Sequence, residues 1–216
     1  MFIELTDHLR CPAEHDEQFL VLLPELIEDR WVRAGDLGCP VCGRAFRVDD
    51  GIFESGEPPE ERGTSALPAD AVAALSGLGG PGGYLVLVGG AAGNAGTGVT
   101  PGVGVVAVNP EPAIADGTGG ASVIRGSRLP LRSSSMRAVV LGPGYAEDPY
   151  WIAEAMRVTL PGLRIVGEGE PPVRPDLEIL ASAAGCWVAT KIRNRPPPTG
   201  TPPRSPPDSS APPPAA

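Results

Sequence analysis

Tyr84-Leu-Val-Leu-Val88-Gly89-Gly90-Ala-Ala-Gly93 is the stretch that decides the fold of this chain. An apolar run with no polar face must be covered on both sides. A run this short, bounded by glycine, suits a buried parallel strand. Similar runs follow at 103–108, 121–124, 138–141, 163–166 and 186–190. Between the fourth and fifth of them, Asp148-Pro-Tyr-Trp-Ile-Ala-Glu-Ala-Met-Arg-Val158 reads as an amphipathic helix, with Ile152 and Met156 toward the sheet. Pro68-Ala-Asp-Ala-Val-Ala-Ala-Leu75 reads as another helix, ended by Gly77 to Gly83. Strands joined by helical crossovers indicate an α/β, doubly wound, Rossmann-like sheet. Residues 89–102 and 109–120 show little helix pattern, so the first crossovers are expected to be short.

Upstream of this sheet lie Cys11-Pro-Ala-Glu-His15 and Cys39-Pro-Val-Cys42-Gly43. Three thiols and an imidazole form a four-ligand set of the kind zinc takes in structural sites. Two cysteines three apart reach one tetrahedral ion, and Gly43 permits the positive φ that turns backbone N–H groups toward the sulfurs. Cys11, His15, Cys39 and Cys42 are therefore the candidate Zn2+ ligands. His8 and Glu14 are the substitutes for His15. Around them, 19–23 and 30–33 read as strands, and 44–48 with 52–53 as a hairpin turned by Asp49-Asp50-Gly51. Residues 1–54 thus form a small β-rich zinc ribbon, which needs metal for secure folding.

The chain has 216 residues and a net charge of −9. Residues 1–54 carry twelve acids against five arginines. An acidic ribbon argues against nucleic acid as a partner, because phosphate contacts need positive charge. Arg30, Arg33, Arg44 and Arg47 read as a solvated strand face. No run of apolar residues is long enough to span a membrane, and no signal peptide is legible at Met1-Phe-Ile-Glu, so a cytoplasmic protein is expected. Residues 55–67 read as a polar linker, 68–194 as the α/β domain, and 195–216 as a Pro-rich disordered tail. Cys186, among apolar neighbours, is expected to be a buried thiol.

The order of segments over about 68–192 resembles a class I S-adenosylmethionine (SAM)-dependent methyltransferase. The resemblance rests on residues 85–93 as first strand and glycine loop, 105–110 as second strand and turn, 125–141 as the approach to the fourth strand, and 152–166 as helix, turn and fifth strand. Residues 1–54 are similar to the methyltransferase-associated zinc ribbon, with Leu9-Arg-Cys-Pro and Asp50-Gly-Ile52 carrying the similarity. That ribbon occurs fused to some methyltransferases and as a small separate protein that activates others. The resemblance implies SAM as cofactor, held by Gly89, Gly90, Gly93 and the segment of Asn109 and Glu111.

This sequence departs from the family at four acidic positions, where it has Val88, Asn109, Ser127 and Arg137. A carboxylate grips a ribose diol more strongly than an amide does, so the methyltransferase-like sheet is read as partly degenerate. The expectation is a non-catalytic, zinc-binding, methyltransferase-like protein that serves as an interaction or scaffold module for a protein partner. Two alternatives stay open: an active SAM-dependent methyltransferase in which Glu111 replaces the missing ribose acid, and a zinc ribbon that binds nucleic acid.

Overall fold

The computed structural model describes residues 1–97, 101–117 and 120–192. The tail read at 195–216 lies outside the described residues. The elements are β1 (Val21–Glu28), β2 (Trp31–Gly38), β3 (Ala45–Asp49), β4 (Ile52–Glu54), α1 (Ala69–Ser76), β5 (Tyr84–Val88), β6 (Gly104–Val108), β7 (Ala121–Arg125), β8 (Met136–Leu141), α2 (Pro149–Val158), β9 (Thr159–Glu168), β10 (Leu177–Ala183) and β11 (Cys186–Lys191). The eleven strands of the described residues hydrogen-bond into one sheet, in the order β1-β2-β3-β4-β7-β6-β5-β8-β9-β11-β10.

The centre of the sheet, from β4 to β9, is parallel, and both flanks are antiparallel. Within the central strands the order runs outward in both directions from β5 and β8, so the topological switch point lies between them. Alternate residues of these strands pack on opposite faces. Val86, Val88, Val106, Val108, Val139 and Leu141 join Trp151, Ile152 and Ala155 of α2. Leu85, Leu87, Val105, Ala107, Ala138 and Val140 join Val72 of α1. Both faces are covered, which explains the unbroken apolar runs.

Local chemistry sets the element ends. Asp50 and Gly51 both take positive φ, 45° and 80°, and make the two-residue turn between β3 and β4. Gly77 closes α1 in the left-handed conformation at φ 63°. The Asp148 carboxylate accepts the Tyr150 N–H and Pro149 opens α2. The crossover after β5 is a 3-10 segment, Gly89–Thr97, rather than an α-helix. Its small residues Ala91, Ala92 and Ala95 lie buried against the α1 face.

The sheet runs on into the N-terminal unit because β4 pairs in parallel with β7, Phe53 opposite Ile124 and Glu54 opposite Arg125. The core runs on too: Leu5, Leu9, Val32, Leu37, Val48 and Phe53 belong to the cluster on the α2 face. Farther along, the Arg157 guanidinium bonds both oxygens of nearly buried Glu154 at 2.8 and 2.9 Å and donates to the Leu129 and Leu131 carbonyls. It also reaches Glu17 of the N-terminal unit at 3.3 Å.

Cys186 corrects one expectation. It is half-exposed and donates to the Ala183 carbonyl at 3.1 Å, whereas its neighbour Trp187 is fully buried. Strand alternation, not local hydrophobicity, decides which of the two points inward. Among the described residues no helix is long and apolar enough to cross a membrane.

Gly167 on β9 stands opposite Trp187 of β11, and a Cβ there would stand 2.3 Å from a ring carbon. Gly167→Ala should destabilise the chain by about 1–3 kcal/mol through overpacking. Urea denaturation would report this as a lower midpoint with an unchanged slope.

Candidate metal centre and the crevice at the switch point

Two loops bring the knuckles together. Arg10 N–H donates to the Pro130 carbonyl and Arg132 N–H to the His8 carbonyl, so the segment leading to Cys11 is fixed on the α/β unit. The second loop follows β2. Gly43 takes φ 70° and its N–H donates to the Cys39 carbonyl at 3.0 Å. The ligand atoms of Cys11, His15, Cys39 and Cys42 all lie within 4.8 Å of one another.

The geometry suits one tetrahedral ion. The Cys11 and Cys42 sulfurs are 3.7 Å apart, and Cys39 Sγ lies 3.5 Å from His15 Nε2. A tetrahedron with Zn–S arms of about 2.3 Å and a Zn–N arm of about 2.0–2.1 Å has S–S edges of roughly 3.8 Å and S–N edges of roughly 3.6 Å. His15 presents Nε2, while its Nδ1 lies 2.7 Å from the Asp16 carbonyl, the outer contact that fixes an imidazole for ligation. These four residues could hold a metal ion. His8 and Glu14, the substitutes, stand outside the group; the His8 ring packs edge-on against Tyr84.

The thiols differ in their surroundings. Burial pushes the Cys11 thiol up to about 11. At Cys39 burial acts in the same sense, but N–H groups of Cys42 and Val41 outweigh it and the pKa falls. The Arg44 N–H lowers that of Cys42. Amide N–H groups aimed at sulfur favour thiolate, the form that binds metal.

The second candidate site lies at the carboxyl ends of the central strands, where open α/β sheets bind ligands. Gly89, Gly90, Asn109 and Glu111 all lie there. Gly93 sits in the 3-10 segment with open space above it. Asn109, at φ 47°, is bonded within the chain: it donates to the Gly126 carbonyl at 2.8 Å and accepts the Gly126 N–H at 2.9 Å, and its side chain also bonds the Tyr145 hydroxyl. Arg137 is turned to the opposite end, where it donates to the carbonyls of Gly79, Gly80, Pro81 and Gly82.

Glu111 is 6% exposed and its partners are the chain's own. Its carboxylate accepts the backbone N–H groups of Arg62 at 2.7 Å and Gly63 at 2.8 Å, with the Tyr145 hydroxyl at 3.2 Å. Burial and the nearby Glu111 charge raise the Tyr145 pKa. Glu168, 7% exposed at the end of β9, accepts the Ser65 hydroxyl and the Ala66 N–H at 2.9 Å. Arg62 donates to the Gly144 carbonyl and Asp148, and lies 4.7 Å over the Tyr145 ring. Above Gly90, the Gly63 carbonyl oxygen and Ser65 nitrogen come so close that a Cβ would meet them at 2.4 and 2.6 Å.

Residues 55–67, read from sequence as a linker, therefore lie as a strap across the crevice. A cavity of about 210 Å3 remains, lined by Pro58, Pro59, Glu61, Asn109, Glu111 and Arg125. A second cavity of about 210 Å3 shares Glu61 and Glu111 with it and is lined also by Gly63, Thr64 and Pro112, and between the two the strap's own N–H groups stand where a ligand's donors to Glu111 would. Sequence reasoning missed the strap and Glu168. An acid closing the otherwise apolar Ile165-Val-Gly-Glu168 was the one available signal.

The arginines of the N-terminal unit are largely compensated. Arg30 pairs with Glu4, Arg33 with Glu28 and Asp116, and Arg47 with Glu25. A phosphate backbone would have to displace these acids.

No family model and no curated protein matches the chain. Among solved structures it is similar to the complex between the Haloferax volcanii Trm112 methyltransferase activator and a methyltransferase, at 20% identity and a TM-score of 0.35, over 46% of this chain and 50% of that one. A protein of Bacillus halodurans C-125 assigned as a methyltransferase matches at 15% identity and a TM-score of 0.34, over 49% of this chain and 52% of that one. The antibiotic-resistance methyltransferase Kmr matches at 12% identity and a TM-score of 0.37, over 61% of this chain and 97% of its own. The chain thus spans about half the length of the first two.

The ligand geometry yields one expected outcome. Protein refolded with zinc and then desalted should retain about one equivalent per chain. Cys39→Ser and Cys42→Ser should lose it and His15→Ala should hold it weakly, whereas Glu14→Ala and His8→Ala should keep it. Elemental analysis of the desalted variants reads this directly.

Proposed function

We propose that this chain is a zinc-stapled, methyltransferase-like protein that does not transfer methyl groups and works as an interaction module for a protein partner. The self-ligation of Glu111 carries the reading. The carboxylate best situated to hold a ribose diol is occupied by two backbone N–H groups of Arg62 and Gly63. Asn109, at the family's ribose position, is occupied by Gly126.

Zinc is the metal favoured by this donor set, since three thiolates and an imidazole at tetrahedral spacing are what it takes in closed structural sites. Four protein ligands would leave no open position, so the metal's role is to supply folding energy rather than to activate water. The surface supports a protein partner: Phe19, and Val21, Leu23, Leu26 and Ile27 of edge strand β1, are exposed apolar side chains close together in sequence.

Thermal unfolding with and without SAM or S-adenosylhomocysteine tests the central point. A ligand at a hundred times its Kd stabilises a protein by about 2.7 kcal/mol, which a melting curve resolves easily. The expected result is no change in Tm with either compound at millimolar concentration, together with a marked loss of Tm on zinc chelation. A rise in Tm with either cofactor would overturn the non-catalytic reading.

A further inference from the structure

We infer that the cavity between the N-terminal unit and α2 is a binding site for a phosphate group, and that the Glu17 carboxylate is the resident anion which a phosphate replaces there. The cavity shares no lining residue with the crevice at the switch point, so the inference stands apart from the non-catalytic reading.

Three observations carry it. Glu17 is held in the way a bound anion is held. Its Oε2 accepts the Ser133 N–H at 2.9 Å, the Ser133 hydroxyl at 2.5 Å and an Arg157 Nη1 N–H at 3.3 Å, and its Oε1 lies 3.7 Å from Arg10 Nε. The side chain is nonetheless 36% exposed and stands in an irregular loop, so it can swing into water without opening the core. Beside it lies a cavity of about 220 Å3, lined by Arg10, Arg128, Arg157 and Ser133, with Glu17 the one acid among the described residues that line it. A water takes about 30 Å3, so the space has room for a phosphate group and several waters.

The third observation is an excess of positive charge at one place in a chain of net charge −9. Arg157 is matched by Glu154, which meets it with both oxygens. Arg10 and Arg128 come only within 3.7 Å of Glu17 and Glu154 respectively. Their closer partners are neutral: Arg10 donates to the Asp7 and Leu9 carbonyls, and Arg128 to the Pro12 carbonyl. Arg132 adds positive charge near Arg10, and the exposed Asp7 carboxylate offsets it. Each guanidinium carries five N–H donors in a planar fork that fits a phosphate with two parallel bonds. A carboxylate has two oxygens and one charge. A phosphate ester has three outer oxygens and a charge of about −1.5 to −2 at pH 7. It can take the Ser133 and Arg157 donors from Glu17 and still engage Arg10 and Arg128.

Glu17 therefore competes with the ligand for the same donors. The apparent affinity is the intrinsic affinity reduced by the fraction of molecules whose donors are free, so removing the Glu17 charge should tighten binding. Isothermal titration of the full, zinc-loaded chain, in chloride at fixed ionic strength, tests this with inorganic phosphate and methyl phosphate as probes. Wild type should bind inorganic phosphate weakly. Glu17→Ala and Glu17→Gln should each bind it at least about tenfold more tightly, and adding Arg128→Ala to either should reverse the gain. Methyl phosphate bound as tightly as inorganic phosphate would support the site with a phosphate ester as its ligand. Binding of inorganic phosphate alone would support it with the free anion as ligand.

A folded Glu17 variant that gives no saturable heat would overturn the inference. Equal affinity in wild type and both Glu17 variants would remove Glu17 as the competing anion and overturn it as well. So would binding that Arg128→Ala leaves unchanged. If neither Glu17 variant folds, wild type decides. Phosphate should then raise its Tm above that in chloride of equal ionic strength, and Arg128→Ala should abolish the rise. No rise, or a rise that survives the substitution, would overturn the inference. The response of Tm to SAM tests the non-catalytic reading separately.

Discussion

The parallel pairing of β4 with β7 is the constraint on which the rest of the molecule depends. Because Phe53 and Glu54 run in the same direction as Ile124 and Arg125, the chain leaves β4 at the carboxyl edge of the central sheet. The next element, α1, packs near β8 and β9 and must run back to the start of β5. The connection therefore has to cross the edge, past the ends of β7, β6, β5 and β8. Its contacts follow that path: Ser55 on the Arg125 carbonyl, Arg62 and Gly63 on Glu111, Gly63 over Gly90, Arg62 on Gly144, and Ser65 with Ala66 on Glu168. The strap is thus a consequence of topology.

That route accounts for the polar chemistry at the edge. Carboxylates at 6–7% exposure persist only where donors face them. Backbone N–H groups meet this need with little ordering cost once the chain is committed to the crossing. Bonds to an ionised acceptor are roughly twice as strong as neutral ones. The glycines serve the same approach from below: at Gly90 any side chain would collide with the strap's main chain, and at Gly89 with the Tyr145 ring. Bare backbone in this loop accommodates the chain's own backbone.

Much of this was legible in the sequence, for reasons that differ from element to element. The runs at 84–88, 103–108 and 138–141 announce strands because burial on both faces forces unbroken hydrophobicity. The hairpin at Asp50-Gly51 follows from the need for two positive φ values. The cluster of Cys11, His15, Cys39 and Cys42 that could hold a metal is legible because thiols and imidazole at knuckle spacing serve few other purposes. β10 was missed: in Leu177-Glu-Ile-Leu-Ala-Ser-Ala183 only Leu177 is buried, so its strand character comes from pairing with β11. Cys186 misled because apolar neighbours say nothing of the phase of alternation. The strap left no trace because its main bonding groups are backbone amides, which every residue but proline carries. A segment rich in Pro, Gly and Glu reads as a solvated tether unless the opposing acids are known to lie beneath it.

The position of the four candidate ligands along the chain has a consequence for biosynthesis. All of them precede residue 43, and the strands between them, β1 and β2, pair with each other, with β3 and, at Trp31, with Phe2. As the polypeptide emerges from the ribosome N-terminus first, the knuckles can meet before any part of the central sheet exists. β4, by contrast, has no second neighbour until residues 121–125 appear, so one open strand edge waits through that interval. An early metal clasp would hold the first strands in register while the exposed edge awaits its partner, and would limit the time a bare edge is free to pair with another nascent chain.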